Sequence, residues 1–445
     1  MKTKRLNQLT SALAVTAALS ASAAAQDLIP SAAPQAEPIV LRGATLHTVS
    51  GDVIEGGDLL FEGGVIRSVS KARVDAKGAR VIDLEGKHVF PSFVLATSTV
   101  GLVEVSSVDM TIDTSEAGSI NPEVYAAVAV NADSWHIPVT RRNGVLVAGV
   151  FPQGGLVPGG VSVIQLDGWT WEDLALETRA GMAINWPFMG SRSGRFARFG
   201  GGGGSAEETI ARLDATFDAA EAYIAAKEAD PTLATDMRYE AMRPIVAGET
   251  PVFLSITTRE QAESAIPWAI ERGLKPAVVG GRDAAHFLDL LKRHDVMVAV
   301  TKTHRMPHRR DLSYATTYEL PKVLDDAGVR WCMTMSGRDS SNARNLPYEA
   351  AAAVAHGLDR AAALRSVTLS AAEFLGVDDR VGSLDVGKHA TLFVADGDPL
   401  ELTTKIEHAF VQGREIALVD KQTALYGKYR EKYRQKGLVG ADAGK

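Results

Sequence analysis

The residues of this chain best suited to chemistry are polar side chains at the ends of predicted β-runs. Thr97, Thr99, Glu104 and Asp109 end or follow the run Val94–Val100. Ser255 ends PVFLSI, Arg282 and Asp283 follow PAVVGG, and Arg338 and Asp339 follow VRWCMTMSG. A hydrolytic site needs a base to take a proton from water and a donor to stabilise the developing negative charge. Glu104 or Asp339 is a candidate base, and Arg338 or Arg282 a candidate stabiliser. Thr97, Thr99 and Ser255 are candidate substrate contacts. The bland alternative is that Glu104 and Arg338 form a structural ion pair sealing the site, because such pairs also gather in clefts.

Two histidines, His304 and His308 in THRMPHRRD, have the i, i+4 spacing that puts two imidazoles on one helix face. Pro307 between them favours a loop instead. With no Glu in the segment, the zinc-protease pattern fails. The single cysteine, Cys332, sits in an apolar run and reads as a packed core thiol, so no internal disulfide exists.

The elements that must position these groups follow from the pattern along the chain. The protein has 445 residues, 46% hydrophobic and 23% charged, with a net charge of −7. No basic arm or helix stands out, which argues against nucleic acid as a partner. Lys2, Lys4 and Arg5 precede a short apolar run, Leu9–Leu19, and small residues up to Ala25. That is the layout of a signal peptide spanning residues 1–25, so the expected location is exported, and periplasmic in a two-membrane cell. No membrane association is expected after cleavage.

Residues 26–36 read as a linker. From 37 to 91 short alternating runs with Gly turns predict strands, including a hairpin at Glu62-Gly63-Gly64. From 92 to 380 apolar β-runs alternate with amphipathic helices, which predicts a parallel sheet of the (β/α)8 kind. Six of its strands are visible: Val94–Val100, Gly144–Val150, Pro251–Ile256, Pro276–Val279, Val296–Val300 and Val329–Met335. The remaining two must lie in Val161–Pro187, where Trp169 and Trp171 suggest a strand with one packed face or a pocket wall. Ser205 and Glu208 form a capping box for a helix to Lys227, and Asp359–Phe374 reads as one helix with a second box at Ser370 and Glu373. The glycine-rich run Phe199–Ser205, preceded by Arg192, Arg195 and Arg198, reads as a loop. From 381 to 419 strands return, and 420–445 is a charged helix and tail. The fold class is therefore α/β: a TIM-like (β/α)8 barrel with a small composite β-sandwich formed by both chain ends.

The stretch SAAEFLGVDDRVGSLDVGKHATLFVADGDPL, followed by HAFVQGREI, resembles the closing segment of the amidohydrolase superfamily. IVLRGATLHTVSG and IDLEGKHVFPSFV resemble its opening segment. The similarity is closest to the imidazolonepropionase-like exported branch. The resemblance implies a hydrolase acting on non-peptide C–N bonds of small or cyclic amides, normally with zinc held at barrel strand ends. Carried over position by position, the metal ligands fall on Thr97, Thr99, Ser255 and Ser336. Neutral hydroxyls are poor zinc ligands. The expectation is thus an altered, metal-free site with no cofactor. The alternative is a non-catalytic barrel acting as a binding or partner subunit. A small-molecule substrate, a homo-oligomer, or pairing with an intact paralogue are the partners that remain open.

Overall fold

The chain builds two eight-stranded sheets. The computed structural model describes residues 29–189, 205–337 and 340–439. The expected signal segment and the arginine- and glycine-rich loop lie outside the described residues, as do Arg338 and Asp339.

The first sheet takes strands from both ends of the chain. It contains β1 (Ile39–His47), β2 (Val53–Glu62), β3 (Val65–Ser70), β4 (Arg80–Asp83) and β5 (His88–Pro91). To these it adds β14 (Leu392–Ala395), β15 (Ile406–Val411) and β16 (Arg414–Glu415). Their order is β16-β15-β14-β5-β1-β2-β3, with β4 beside β1. Leu41, Leu59, Phe61, Leu392 and Phe410 meet in its core. The expected hairpin joins β2 to β3. Residues 31–35 do not form a free linker. Ser31 and Ala32 donate to the Asp167 carboxylate, and Gln35 donates to the Phe61 carbonyl.

Pro91 and Ser92 carry the chain into the second sheet. Pro91 still pairs with β14, whereas Phe93 opens β6 (Phe93–Ser98). The Ser92 hydroxyl donates to the Phe93 carbonyl and accepts from Leu146 N. The barrel continues with β7 (Val145–Val150), β8 (Gly159–Gln165), β9 (Ala175–Asn185), β10 (Val252–Ile256), β11 (Pro276–Gly280), β12 (Val298–Thr301) and β13 (Trp331–Thr334). All six visible strands form, and the Val161–Pro187 segment supplies the other two.

One difference from a uniform (β/α)8 pattern is β8, which runs antiparallel to both β7 and β9. The link from β7 to β8 is too short for a crossover helix, and antiparallel neighbours need none. Trp169 is accordingly exposed at the β8–β9 link, and Trp171 opens the short helix Trp171–Leu174 rather than a strand.

Alternation decides which side chains enter the barrel. Val94, Ala96, Val147, Phe253, Ala277, Ala299 and Cys332 share one interior cluster with Phe374 and Leu375. The helix Leu369–Leu375 supplies the last two. The chain does not run as one helix from Asp359. It breaks at Thr368, between Arg360–Ser366 and Leu369–Leu375, so Ser370 is no cap. Arg365 instead donates to both Ser370 and Glu373. The Ser205–Glu208 capping box forms as expected. Cys332 is fully buried, and burial raises its thiol well above the ordinary range, which leaves it a packing residue.

Candidate active site at the barrel rim

The carboxyl ends of the parallel strands define the rim where barrel sites form. Its two sides differ. On one side β6 meets β13 and closes the sheet through side chains. Thr97 N donates to Thr334 Oγ1 at 2.8 Å, and Thr97 Oγ1 donates to the Met335 carbonyl at 3.0 Å. The Ser98 hydroxyl donates to the Gly149 carbonyl on the neighbouring strand. Thr97, Ser98, Thr99 and Thr334 are all buried. Thr99 Oγ1 is the one hydroxyl of this group without a partner.

On the other side, β11 and β12 end in two built turns. Gly280 and Gly281 have φ of 109° and 52°, and a Cβ on Gly280 would lie 2.7 Å from the Ile256 carbonyl oxygen. Only glycine fits that approach. Gly281 N and Asp283 N then donate to the Ile256 and Thr257 carbonyls, which fixes Arg282 and Asp283 at the rim. After β12, Lys302 adopts φ of 55°, a strained conformation for a long side chain. The turn is held by Glu349, buried in the helix Leu346–Ala355. Its Oε2 accepts from Thr303 N at 2.7 Å, Thr303 Oγ1 at 2.7 Å and His304 N at 2.9 Å. Burial would raise the Glu349 pKa, but these donors and the His304 ring outweigh it and hold it below the usual range.

His304 and His308 lie on a loop, as Pro307 foretold, and each faces its own carboxylate. His304 Nδ1 is 3.1 Å from Glu349, and His308 Nε2 is 2.9 Å from Asp283 Oδ1. The second contact is at ion-pair distance but off the hydrogen-bond line, since Nε2 has no aligned acceptor. Burial lowers the His308 pKa; Asp283 opposes this, and Arg282, Arg309 and Arg305 reinforce it. The imidazole is therefore neutral near pH 7 and able to accept a proton.

Around this pair stand three guanidinium groups. Arg309 reaches Asp283 at 3.8 Å. Arg305 Nη1 lies 3.4 Å from Thr301 Oγ1, while its Nε and Nη2 are buried without a partner. Arg282 Nε is likewise buried and unpartnered. Burial and the Arg282 charge lower the Arg305 pKa to about 10, with Glu349 opposing.

The remaining sequence candidates separate. Ser255 follows the alternation of Phe253 and so faces the barrel lumen near its mouth, half-buried. Glu104 is tied to the loop ahead of the helix His136–Arg141, accepting from Asn131 Nδ2 and Trp135 N at 3.3 Å each. Asp109 is exposed. Ser336 is half-buried just beyond β13. The residues that sequence reasoning undervalued are Asp283, Arg305, His308 and Glu349. An acid inside the apolar run LPYEAAAAVA was the available signal for the last.

Among the described residues, the donor set does not fit the zinc that the family resemblance implies, since no three His, Cys, Asp or Glu side chains converge. The aligned positions offer neutral hydroxyls, and that of Thr97 is committed to the Met335 carbonyl.

Comparison with known proteins agrees with this architecture. The model of the amidohydrolase family matches residues 255–419. That stretch takes in the β11–β12 rim and the closing strands of the first sheet. The amidohydrolase tasK of Hapsidospora irregularis is 23% identical over 390 residues, covering 80% of this chain and 39% of that protein. This chain thus spans about two fifths of that relative's length. An amidohydrolase from Thermotoga maritima has a similar structure, with a TM-score of 0.77 and 24% identity over 85% of this chain and 99% of that one. A molinate hydrolase is similar at a TM-score of 0.52 and 16% identity, over 86% of this chain and 95% of that one. These structures share the TIM-like barrel with a separate sheet built from the chain ends.

Proposed function

We propose that the protein is an exported hydrolase of the amidohydrolase kind, imidazolonepropionase-like in its closing segments, that opens non-peptide C–N bonds of small or cyclic amides. The observation that carries the reading is the His308–Asp283 pair at the rim, 2.9 Å apart, with arginines beside it. In this reading the site is metal-free. His308 takes a proton from water through Nδ1 as the water adds to the amide carbon. Asp283 stabilises the imidazolium that results, as a buried carboxylate does in other acid–base pairs. Arg282 supports the oxyanion, and the imidazolium returns the proton to the departing nitrogen as the C–N bond breaks. Ser255, Thr97 and Thr99 contribute the shape of the lumen. Arg338 and Asp339, which follow β13 in the sequence, remain candidate partners of the same reaction, and Glu104 holds the loop ahead of the helix His136–Arg141. Export rests on the basic and apolar pattern of residues 1–25.

The neutral seam at Thr97 also favours a second reading, a non-catalytic barrel that binds a small molecule or pairs with an intact paralogue, since a fold can outlast its chemistry. A panel of linear amides, ureas and lactams separates the two. Turnover by chelator-treated protein that disappears in His308→Gln supports the hydrolase. No turnover on the panel, with or without added zinc, supports the binding barrel. Turnover that requires stoichiometric zinc overturns the metal-free reading.

A further inference from the structure

The helix Lys421–Gln435 has no buried residue along its 15 positions. Asp420 caps it, and Lys421 Nζ lies 5.3 Å from the centre of the Trp135 ring. A solitary helix of that length is marginal in water, and Gly427 inside it costs about 1 kcal/mol relative to Ala. Its apolar groups are nevertheless ordered. Leu425, Tyr429 and Tyr433 recur every four residues with Tyr426 beside them, each between 41% and 64% exposed on one face. Lys421, Lys428 and Lys432 follow one edge of that stripe, and Arg430 and Arg434 the other. Residues 421–436 hold six Lys and Arg against one Glu, a net +5, which leaves −12 for the rest of a chain whose total is −7.

A complementary surface lies at the foot of this helix. Trp135, which meets Lys421, donates its backbone N–H to Glu104, the first residue of the loop 104–116. That loop carries Glu104, Asp109, Asp113 and Glu116 and no Lys or Arg. Asp109, Asp113 and Glu116 are exposed, and among the described residues no cation pairs with them. The loop also turns Val105, Val108 and Met110 to solvent, Met110 at 98% exposure. Its shape is fixed in advance. Thr111 Oγ1 lies 3.0 and 2.8 Å from the Val105 and Val108 carbonyl oxygens, and Asp113 N donates to the Leu102 carbonyl. Within one chain the helix leaves this loop uncovered.

We propose that the helix Lys421–Gln435 of each chain docks on the loop 104–116 of a second copy, in a reciprocal dimer. Two complementary patches side by side on one surface are what a two-fold axis requires, because each contact is then made twice. The tyrosine stripe covers the three apolar loop residues, and the lysine and arginine edges meet the acids, which sets the register. No part of the His308–Asp283 pair takes part, so the dimer stands apart from the hydrolase reading.

Sedimentation velocity of the full chain tests this. The parent is expected to dimerise, with a dissociation constant that rises at least about tenfold between roughly 0.05 and 0.5 M NaCl. A helix variant combines Lys428→Glu, Arg430→Glu, Lys432→Glu and Arg434→Glu. A loop variant combines Asp109→Lys, Asp113→Lys and Glu116→Lys. Each alone is expected to sediment as a monomer, since helix and loop then carry like charge. Mixed in equal amounts the two are expected to dimerise again, because the reversed helix meets the reversed loop and the native helix the native loop. That recovery also shows that both variants fold. Tyr429→Ser and Met110→Ser, single exchanges at exposed positions, are each expected to weaken the parent dimer at least about fivefold. A monomeric parent, a dimer that either charge variant retains, or association untouched by both single exchanges would overturn the proposal. So would a mixture that stays monomeric while each variant keeps the parent's circular dichroism. A monomeric parent that instead binds phosphatidylglycerol vesicles would assign the helix to an anionic lipid surface and overturn the second copy as its partner.

Discussion

The two sides of the barrel rim solve opposite problems. At the β6–β13 seam, Thr97 and Thr334 join strand to strand through neutral hydrogen bonds, and only Thr99 of the four buried hydroxyls lacks a partner. At β11–β12, Asp283, His308, Arg282 and Arg305 are gathered with N–H groups left unpaired. The seam pairs most of its polar groups, whereas the proposed site keeps more unsatisfied groups and a strained turn that the surrounding structure must hold in place. The difference teaches where to look when the expected ligand positions of a metal barrel are hydroxyls. Chemistry is better sought on the rim segment that gathers ionisable groups and keeps polar atoms without partners.

The largest effect expected from breaking this contrast is on turnover. Asp283→Asn should lower kcat by roughly 10²–10⁴-fold, the range of a lost acid–base partner, measured on whichever panel substrate is hydrolysed. Because Asp283 raises the His308 pKa against burial, its removal should also move the acid limb of the rate profile to lower pH. In the parent that limb lies below pH 6.5, as burial holds the imidazole below its ordinary value.

Stability separates the sides next. Glu349→Ala removes the acceptor of the buried Thr303 N–H and the part-buried His304 N–H, while the Thr303 hydroxyl keeps the Glu349 main-chain carbonyl, so unfolding in urea should show a loss of about 2 kcal/mol. Thr334→Val at the seam should cost only about 1 kcal/mol and leave turnover within about twofold, because it breaks neutral bonds away from the charged groups.

A control far from the rim comes from the first sheet. Burial, then the neighbouring His88, lower the His47 pKa from 6.5 to about 4, with Asp398 opposing. The folded state thus binds fewer protons than the unfolded chain between those values. Its contribution is complete above pH 6.5 and is lost as pH falls toward 4. Discounted for partial exposure, the loss should be about 2 kcal/mol, and His47→Gln should flatten that part of the stability curve.

Much of the barrel was legible because alternating apolar runs report burial directly. Val94–Val100 and Val329–Met335 reveal their strands without any knowledge of their neighbours. The β8 reversal was not legible, since a seven-residue apolar strand reads the same in either direction. Thr97 and Thr99 could be recognised as hydroxyls at a metal position, but not that Thr97 stitches the barrel closed; its partner is 237 residues away. His308 and Asp283 were seen separately, one as a metal candidate and one as a strand-end acid. Their pairing depends on a loop path that local periodicity does not encode. Glu349 was missed because a helix pattern marks an acid as surface unless its partners are known.

In the proposed reaction the β11–β12 side of the rim does the work and the seam does not. The most direct test is the turnover of chelator-treated protein on an amide panel, comparing His308→Gln with Thr99→Val. The parent and Thr99→Val are expected to turn over alike without metal, while His308→Gln is expected to lose at least about a hundredfold. Turnover abolished by chelation and restored by zinc, lost in Thr99→Val and kept in His308→Gln, would contradict this division of the rim.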